Sequence, residues 1–359
     1  MRRTFSRPII AFYFHSRGLA LVELMISLVL GLLIISAVTG IMLSNMQGFR
    51  TTRGLSQVQD AARVGFELLA RDIRQAGNVP CGNDITIVNI LNPANDGGTT
   101  PWQYDWDNAV KGFDGDTALS SVTSDIDGMT SVDNQILGTE SLVMLSGQAS
   151  STYMTEYDSA TNSADFLAGP AGNSLGDGDI LFVCNERLGT IFQMKYKTGA
   201  AGEIVSNIDA SPEPGNCSSN LGEFTCGGSG EVQAAYTPNT VIAQLSSTAW
   251  YLGNNGRPEE GGRSLYMVRL SNRAGNATLN RIEIASGVTE LGFRYRLVDT
   301  ADFVDSDTIT AADRWADVNA IEVSMTLFSQ DQNISTSAAD DGRLGRSFTS
   351  VVAIRSRSL

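Results

Sequence analysis

Glu23 is the residue whose type and setting most demand a chemical reason. It stands near the start of residues 18–43, GLALVELMISLVLGLLIISAVTGIML, and no further charge follows until Arg50. A run of roughly 20 apolar residues is long enough to cross a bilayer. A carboxylate inside such a run is disfavoured by roughly 2.5–3.5 kcal/mol at its centre, so it is kept for a partner or a function. Two opposite charges in a low dielectric are costly apart and tolerable together. Glu23 therefore calls for a partner or a reason.

The rest of the chain offers acids and thiols. Asp114 with Asp116, Asp125 with Asp127, Asp177 with Asp179, and Asp302 with Asp305 and Asp307 invite a calcium reading. None follows the twelve-residue loop that ends in a bidentate glutamate, and solvated acids are the simpler account. Four cysteines, Cys81, Cys184, Cys217 and Cys226, form an even set that favours disulfides in an exported domain. Three pairings are open. The preferred one joins Cys217 to Cys226 around a short Gly- and Ser-rich loop, and Cys81 to Cys184 between the helix exit and a strand. No Cys-x-x-Cys occurs, and His15 is the only histidine. Ser-His-Asp and Cys-His catalysis and histidine-ligated zinc thus lack their residues beyond the leader. No catalytic residue, cofactor or metal is expected, and no enzyme.

The elements that must position these residues follow from periodicity. Apolar positions Leu55, Val58, Ala62, Phe66 (or Gly65), Leu69, Ile73 and Ala76 recur every three and four residues, the stripe of an amphipathic helix. Gln57, Asp60, Arg63, Glu67, Arg71, Asp72 and Arg74 fall on its other faces. Gly77 supplies a C-cap, with Pro80 just beyond. A helix over 19–77 would run roughly 85 Å at 1.5 Å per residue, with 19–43 as the membrane span. Gly31, Gly40, Gly48 and Gly54 are weak points for helix continuity.

Residues 78–359 read as one β-rich head. Strand-like runs are expected at 85–90, 141–145, 179–184, 190–196, 248–252, 264–270, 281–285, 290–298, 320–328 and 347–355. Ile321, Val323, Met325 and Leu327 alternate with Glu322, Ser324 and Thr326, the pattern of antiparallel sheet with one covered face. The order suggests a meander packed on the helix stripe. Residues 92–135 and 199–239 are rich in Gly, Asp, Asn and Ser and read as long loops. The first holds Trp102, Tyr104 and Trp106, either a contact patch or, as preferred, a small satellite core.

Gly18-Leu19-Ala20-Leu21-Val22-Glu23, behind a basic leader, resembles the class III signal of type IV pilins and pseudopilins. The segment QDAARVGFELLARDIRQAGNVPCG, from Gln59, and the terminal RSFTSVVAIRSR resemble PilW-type minor pilins. The likeness is closest over residues 18–81 and extends over 263–359. It implies a leader of 1–18, cleavage by prepilin peptidase between Gly18 and Leu19, and N-methylation of Leu19. The new amine of one subunit would then meet Glu23 of a neighbour and set the register of packed helices. Leu19 departs from the more usual Phe or Met, and the leader is long. An apolar patch at residues 8–14 leaves a start downstream of Met1 open.

The implied fold is α+β and type IV pilin-like: a long N-terminal helix, partly unwound between Gly31 and Gly40, packed on an antiparallel sheet, with large loop insertions. The implied job is to initiate and build the pilus near its tip, supporting motility, adhesion or DNA uptake. The alternatives are a J-type pseudopilin of type II secretion and a pilus-tip adhesin whose 92–135 loop meets a surface or glycan. The expected partners are prepilin peptidase, other minor and major pilins, and the inner membrane during biogenesis. Arg2, Arg3, Arg7 and Arg17 keep the leader cytoplasmic by the positive-inside tendency. The head then faces the periplasm, and after assembly the outside. Net charge is −14 for the whole chain and −18 without the leader's four arginines. That balance argues against direct nucleic-acid binding, which needs Lys and Arg to neutralise phosphates.

Overall fold

The computed structural model describes residues 21–82, 85–94, 100–116, 119, 132–157, 166–169, 175–196, 203–206, 208, 213–222, 236–273, 275–335 and 339–357. Two compact units emerge, Met1–Arg53 and Gly54–Leu359. A single α-helix, α1 (Leu21–Gln75), supplies the described part of the first and begins the second. The unwinding expected between Gly31 and Gly40 is absent; the helix runs through both. Each glycine costs about 1 kcal/mol of propensity against alanine, but unlike proline it keeps its N–H and removes no backbone hydrogen bond.

In the head, strands follow in the order β1 (Thr86–Asn89), β2 (Val110–Phe113), β3 (Ser141–Tyr157), β4 (Phe166–Gly169), β5 (Ile180–Cys184), β6 (Leu188–Tyr196), β7 (Glu203–Ser206), β8 (Val241–Asn254), β9 (Arg263–Arg273), β10 (Asn276–Ser286), β11 (Val288–Leu297), β12 (Phe303–Val304), β13 (Val318–Phe328) and β14 (Gly345–Ala353). A short helix, α2 (Ser306–Ala311), lies between β12 and β13. Every run expected from the sequence is a strand. β2, β4, β7 and β12 were not expected; β4, β7 and β12 are only two to four residues long, too short for alternation to show.

Two sheets result. In the smaller, β12, β11, β13 and β14 lie in that order and all pair antiparallel, close to the expected meander. The larger departs from it. β3 pairs with β8, β8 with β5, β5 with β6, β6 with β7, β7 with β4, and β4 with β3 again. These six antiparallel strands close a ring, which removes their free edges. β9 and β10 extend it from β8, β2 adds to β3, and β1 joins β6 in parallel.

The second half of α1 packs against both sheets. Val58, Ala62, Leu69, Ile73 and Ala76 meet Leu142, Met144, Trp250, Leu252 and Leu265 of the large sheet, and Leu291, Phe293, Tyr295, Ile321, Val323 and Met325 of the small one, in one core. The stripe is shifted slightly from expectation. Gly54 and Gly65 are buried while Leu55 and Phe66 are only half-buried. A β-carbon at Gly65 would lie 3.2 Å from Leu265 and 3.5 Å from Met325, so the small residue lets the strands approach the helix closely. A second core lies on the other face of the large sheet, and a third, with Leu181, Val183, Phe192, Met194 and Ile242, includes the inner residues of the ring.

The aromatic cluster of the 92–135 loop belongs to the second core. Trp102 is 5% and Tyr104 7% exposed, and Trp106 packs on Phe182 with ring centroids 5.2 Å apart. The expectation that these rings are core holds, but they join a main core of the head and not a small satellite under the loop. Trp102 and Tyr104 are too buried to form a contact patch, and Trp106 is half-buried.

Candidate functional site

Glu23 lies in the first turn of α1. After it, residues 24–49 carry no charge, and the described side chains from Leu21 to Phe49 are almost all exposed. Leu28, Leu32, Ile35, Ile41 and Phe49 each leave more than half of their surface uncovered. The polar side chains of this stretch satisfy themselves locally. Ser27 Oγ donates to the Glu23 carbonyl at 2.7 Å, Ser36 Oγ to the Leu33 carbonyl at 2.9 Å, and Thr39 Oγ1 to the Ile35 carbonyl at 2.8 Å. Such back-bonding suits a helix surrounded by hydrocarbon, where an unpaired polar group costs several kcal/mol. Glu23 is left as the one charged group between Leu21 and Arg50. The helix is long and apolar enough to cross a membrane, which is compatible with single-pass anchoring. Gly18 and Leu19 lie outside the described residues.

The helix end is fixed by three devices. Gly77, with φ of +65°, turns the chain out of the helix, as a left-handed C-cap does. Its N–H donates to the Leu145 carbonyl at 2.7 Å, and the Asn78 carbonyl accepts from Gly147 N at 2.8 Å, so the exit chain docks along β3. Cys81 then bonds Cys184 at the end of β5, with Cα atoms 5.9 Å apart across a separation of 103 residues. Cys217 is also disulfide-bonded; its expected partner, Cys226, lies outside the described residues. Finally the C-terminal segment returns. Ser356 Oγ donates to the Ala76 carbonyl at 2.9 Å, and Arg357 Nη1 donates to the carbonyls of Trp315 at 2.6 Å and Val318 at 3.2 Å. Burial pulls the Arg357 guanidinium down to about 10, so it stays charged at neutral pH beside the negative end of the helix dipole.

Asp72 corrects the sequence reading, which placed it on a solvated face. It is 8% exposed, and its Oδ2 accepts from Trp250 Nε1 at 3.1 Å. Burial raises its pKa, opposed by the Trp250 hydrogen bond and by Arg71 and Arg269. Its spacing was informative: position 72 falls three after Leu69 and four before Ala76, on the buried stripe.

The acid pairs serve the backbone. Asp177 Oδ1 accepts from Tyr196 N, and Asp179 Oδ2 from Gly176 N at 2.9 Å. Asp114 Oδ1 accepts from Asp116 N at 3.0 Å. Asp125 and Asp127 lie outside the described residues. Among the described residues no three acids, cysteines or histidines converge as a metal site would require.

No known protein-family model matches the chain, and no curated protein matches it in sequence. The geometry therefore carries the functional argument alone: an exposed apolar helix with one carboxylate, continuous with a helix half that forms the core of an α+β head.

Proposed function

We propose that this chain is a minor pilin of the PilW type, anchored by its N-terminal helix in the inner membrane and then built into a type IV pilus, where it helps initiate assembly near the tip. Glu23 carries the reading. It is a lone carboxylate in the first turn of an apolar helix that continues unbroken to Gln75, five residues after Gly18. Cleavage after Gly18 would create an N-methylated amine at Leu19, and Glu23 of a neighbouring subunit would pair with it. In hydrocarbon such a pair fixes register, because slipping the helices leaves both charges unpaired. The head supports the reading by gripping the second helix half on both sides, so that force on the helix passes into a packed core.

The test is the mass of the N-terminal peptide from membrane and sheared-filament fractions. N-methylated Leu19 is the expected result. An intact leader, or cleavage elsewhere, would remove the pilin reading and leave a membrane-anchored periplasmic protein.

A further inference from the structure

We propose that a notch in the large sheet of the head is a binding site for a small acidic sugar, with Arg269 holding its carboxylate. The notch follows from strand register. Along one edge of β8, β5 pairs as far as Gln244 and β9 begins at Thr248. Leu245, Ser246 and Ser247 lie between them with no strand pairing on that edge among the described residues. The gap opens as a groove of about 220 Å³, room for one small polar molecule and not for a drug-sized ligand.

Its walls divide into groups already satisfied and groups left over. Asp179 is satisfied: Oδ1 accepts from Asn272 Nδ2 at 2.6 Å, and Oδ2 from Gln244 Nε2 and Gly176 N, both at 2.9 Å. This network ties the start of β5 to the end of β9 and holds the groove open. Arg269 is the opposite case. It is attracted by the Asp72 carboxylate, but among the described residues its buried Nε has no hydrogen-bond partner and its Nη2 reaches only the Met267 Sδ at 3.9 Å. A guanidinium carries five donors in a planar fork, and buried donors left unpaired are costly. Arg269 lines the groove, and a carboxylate is the ligand group that a planar guanidinium fits best.

Ser246 and Gln148 line the same groove, and neither side chain has a hydrogen bond to the protein among the described residues. A hydroxyl and an amide both donate and accept, which suits sugar hydroxyls. Among the described residues no aromatic ring lines the groove, so a neutral sugar gains no stacking platform from them, and the charge on the ligand has to supply the affinity. The inference concerns the head alone and does not rest on the assembly reading above.

The test titrates the full chain in detergent micelles with D-glucuronate, D-glucose and N-acetyl-diglycine, followed by calorimetry. Saturable glucuronate binding is expected, with glucose at least about tenfold weaker through loss of one charge-assisted interaction, and the peptide, which keeps a carboxylate but lacks the sugar hydroxyls, also weaker. Arg269→Gln should weaken glucuronate by about tenfold or more. Arg269→Lys should fall between, because it keeps the charge and loses the fork. Thermal melting checks that Arg269→Gln folds; if it does not, Ser246→Trp, which fills the groove, takes its place and should abolish binding. Equal affinity for glucose, unchanged affinity in the variants, or no saturable binding below about 10 mM would overturn the proposal. Tighter binding of the peptide would overturn the sugar and assign the groove to a protein C-terminus.

Discussion

Replacing Asp72 separates the two things its carboxylate does under the helix. It accepts the indole N–H of Trp250, a side chain with no exposed surface, at 3.1 Å. It also buries a charge, and burial is the largest influence on its pKa. Asp72→Ala removes the acceptor and strands the N–H, which costs about 1–3 kcal/mol. For a domain of this size that is a fall in Tm of about 2–10 °C. Asp72→Asn keeps an acceptor of the same shape and removes the charge, so it should remain within about 1 kcal/mol of the parent at neutral pH. The pH dependence has a definite sign. An unfolded aspartate titrates near 3.9, and the folded value is raised. The folded chain thus holds its proton to higher pH than the unfolded chain does. The stability this gives is fully present below about pH 4 and is lost as pH rises through the folded value. Asparagine does not titrate. Melting curves of the two proteins should therefore diverge in favour of Asp72→Asn as pH rises from about 4, then run parallel. A gap that stays constant through the acid range, or an alanine variant as stable as the parent, would refute the assignment of a buried, hydrogen-bonded carboxylate.

Four further outcomes can be checked. Glu23→Ala should still be cleaved after Gly18, by the mass of its N-terminal peptide, yet be recovered poorly in sheared filaments; normal incorporation would sink the register role. Cys81→Ser should lower stability by about 2–5 kcal/mol, as removal of a native disulfide closing a long loop does, and adding Cys184→Ser should change little further in chemical denaturation. At Gly112 an added β-carbon would overlap the ring and hydroxyl of Tyr295, which is wholly buried edge-on to Trp315; Gly112→Ala should cost about 1–3 kcal/mol by overpacking, read as a lower denaturant midpoint with unchanged slope. Arg357→Ala frees two buried carbonyls and should cost about 1–3 kcal/mol and raise amide exchange around Ala76 and Gly77.

What the sequence disclosed and what it hid divide along physical lines. Local periodicity disclosed the helix and the longer strands, because burial of one face imposes a period of 3.6 or 2 on any chain. The alternation in β13 is legible for that reason, and its buried face is the one expected: Ile321, Val323, Met325 and Leu327. Pairing partners are a different matter. The ring closes through β4 and β7, four-residue strands that meet in only two residue pairs, and nothing in a four-residue window states which strand it will meet. Helix register was legible only to within one position, because glycine reads as a weakness in propensity and not as a place where strands come close. The consequence at Gly54 and Gly65 is a helix that packs tighter than its larger neighbours Leu55 and Phe66 would allow.

The same distinction governs the functional residues. Glu23 stands out in sequence because its neighbours are uniformly apolar, so one charge is conspicuous without any fold. Asp72 and Arg269 do not, because a charge in an amphipathic segment looks solvated until the elements that cover it are in place. Asp72 is covered by β8 through Trp250. Arg269 is left beside a gap that exists only because β5 and β9 share one edge of β8 and fail to meet. A group at such a gap is created by topology, not by motif. That is why the helix could be read as an assembly element from its residues, whereas any ligand chemistry in the head had to wait for the strand register. It also makes the two claims separable: loss of Glu23 should disturb incorporation and leave the groove intact, and loss of Arg269 should do the reverse.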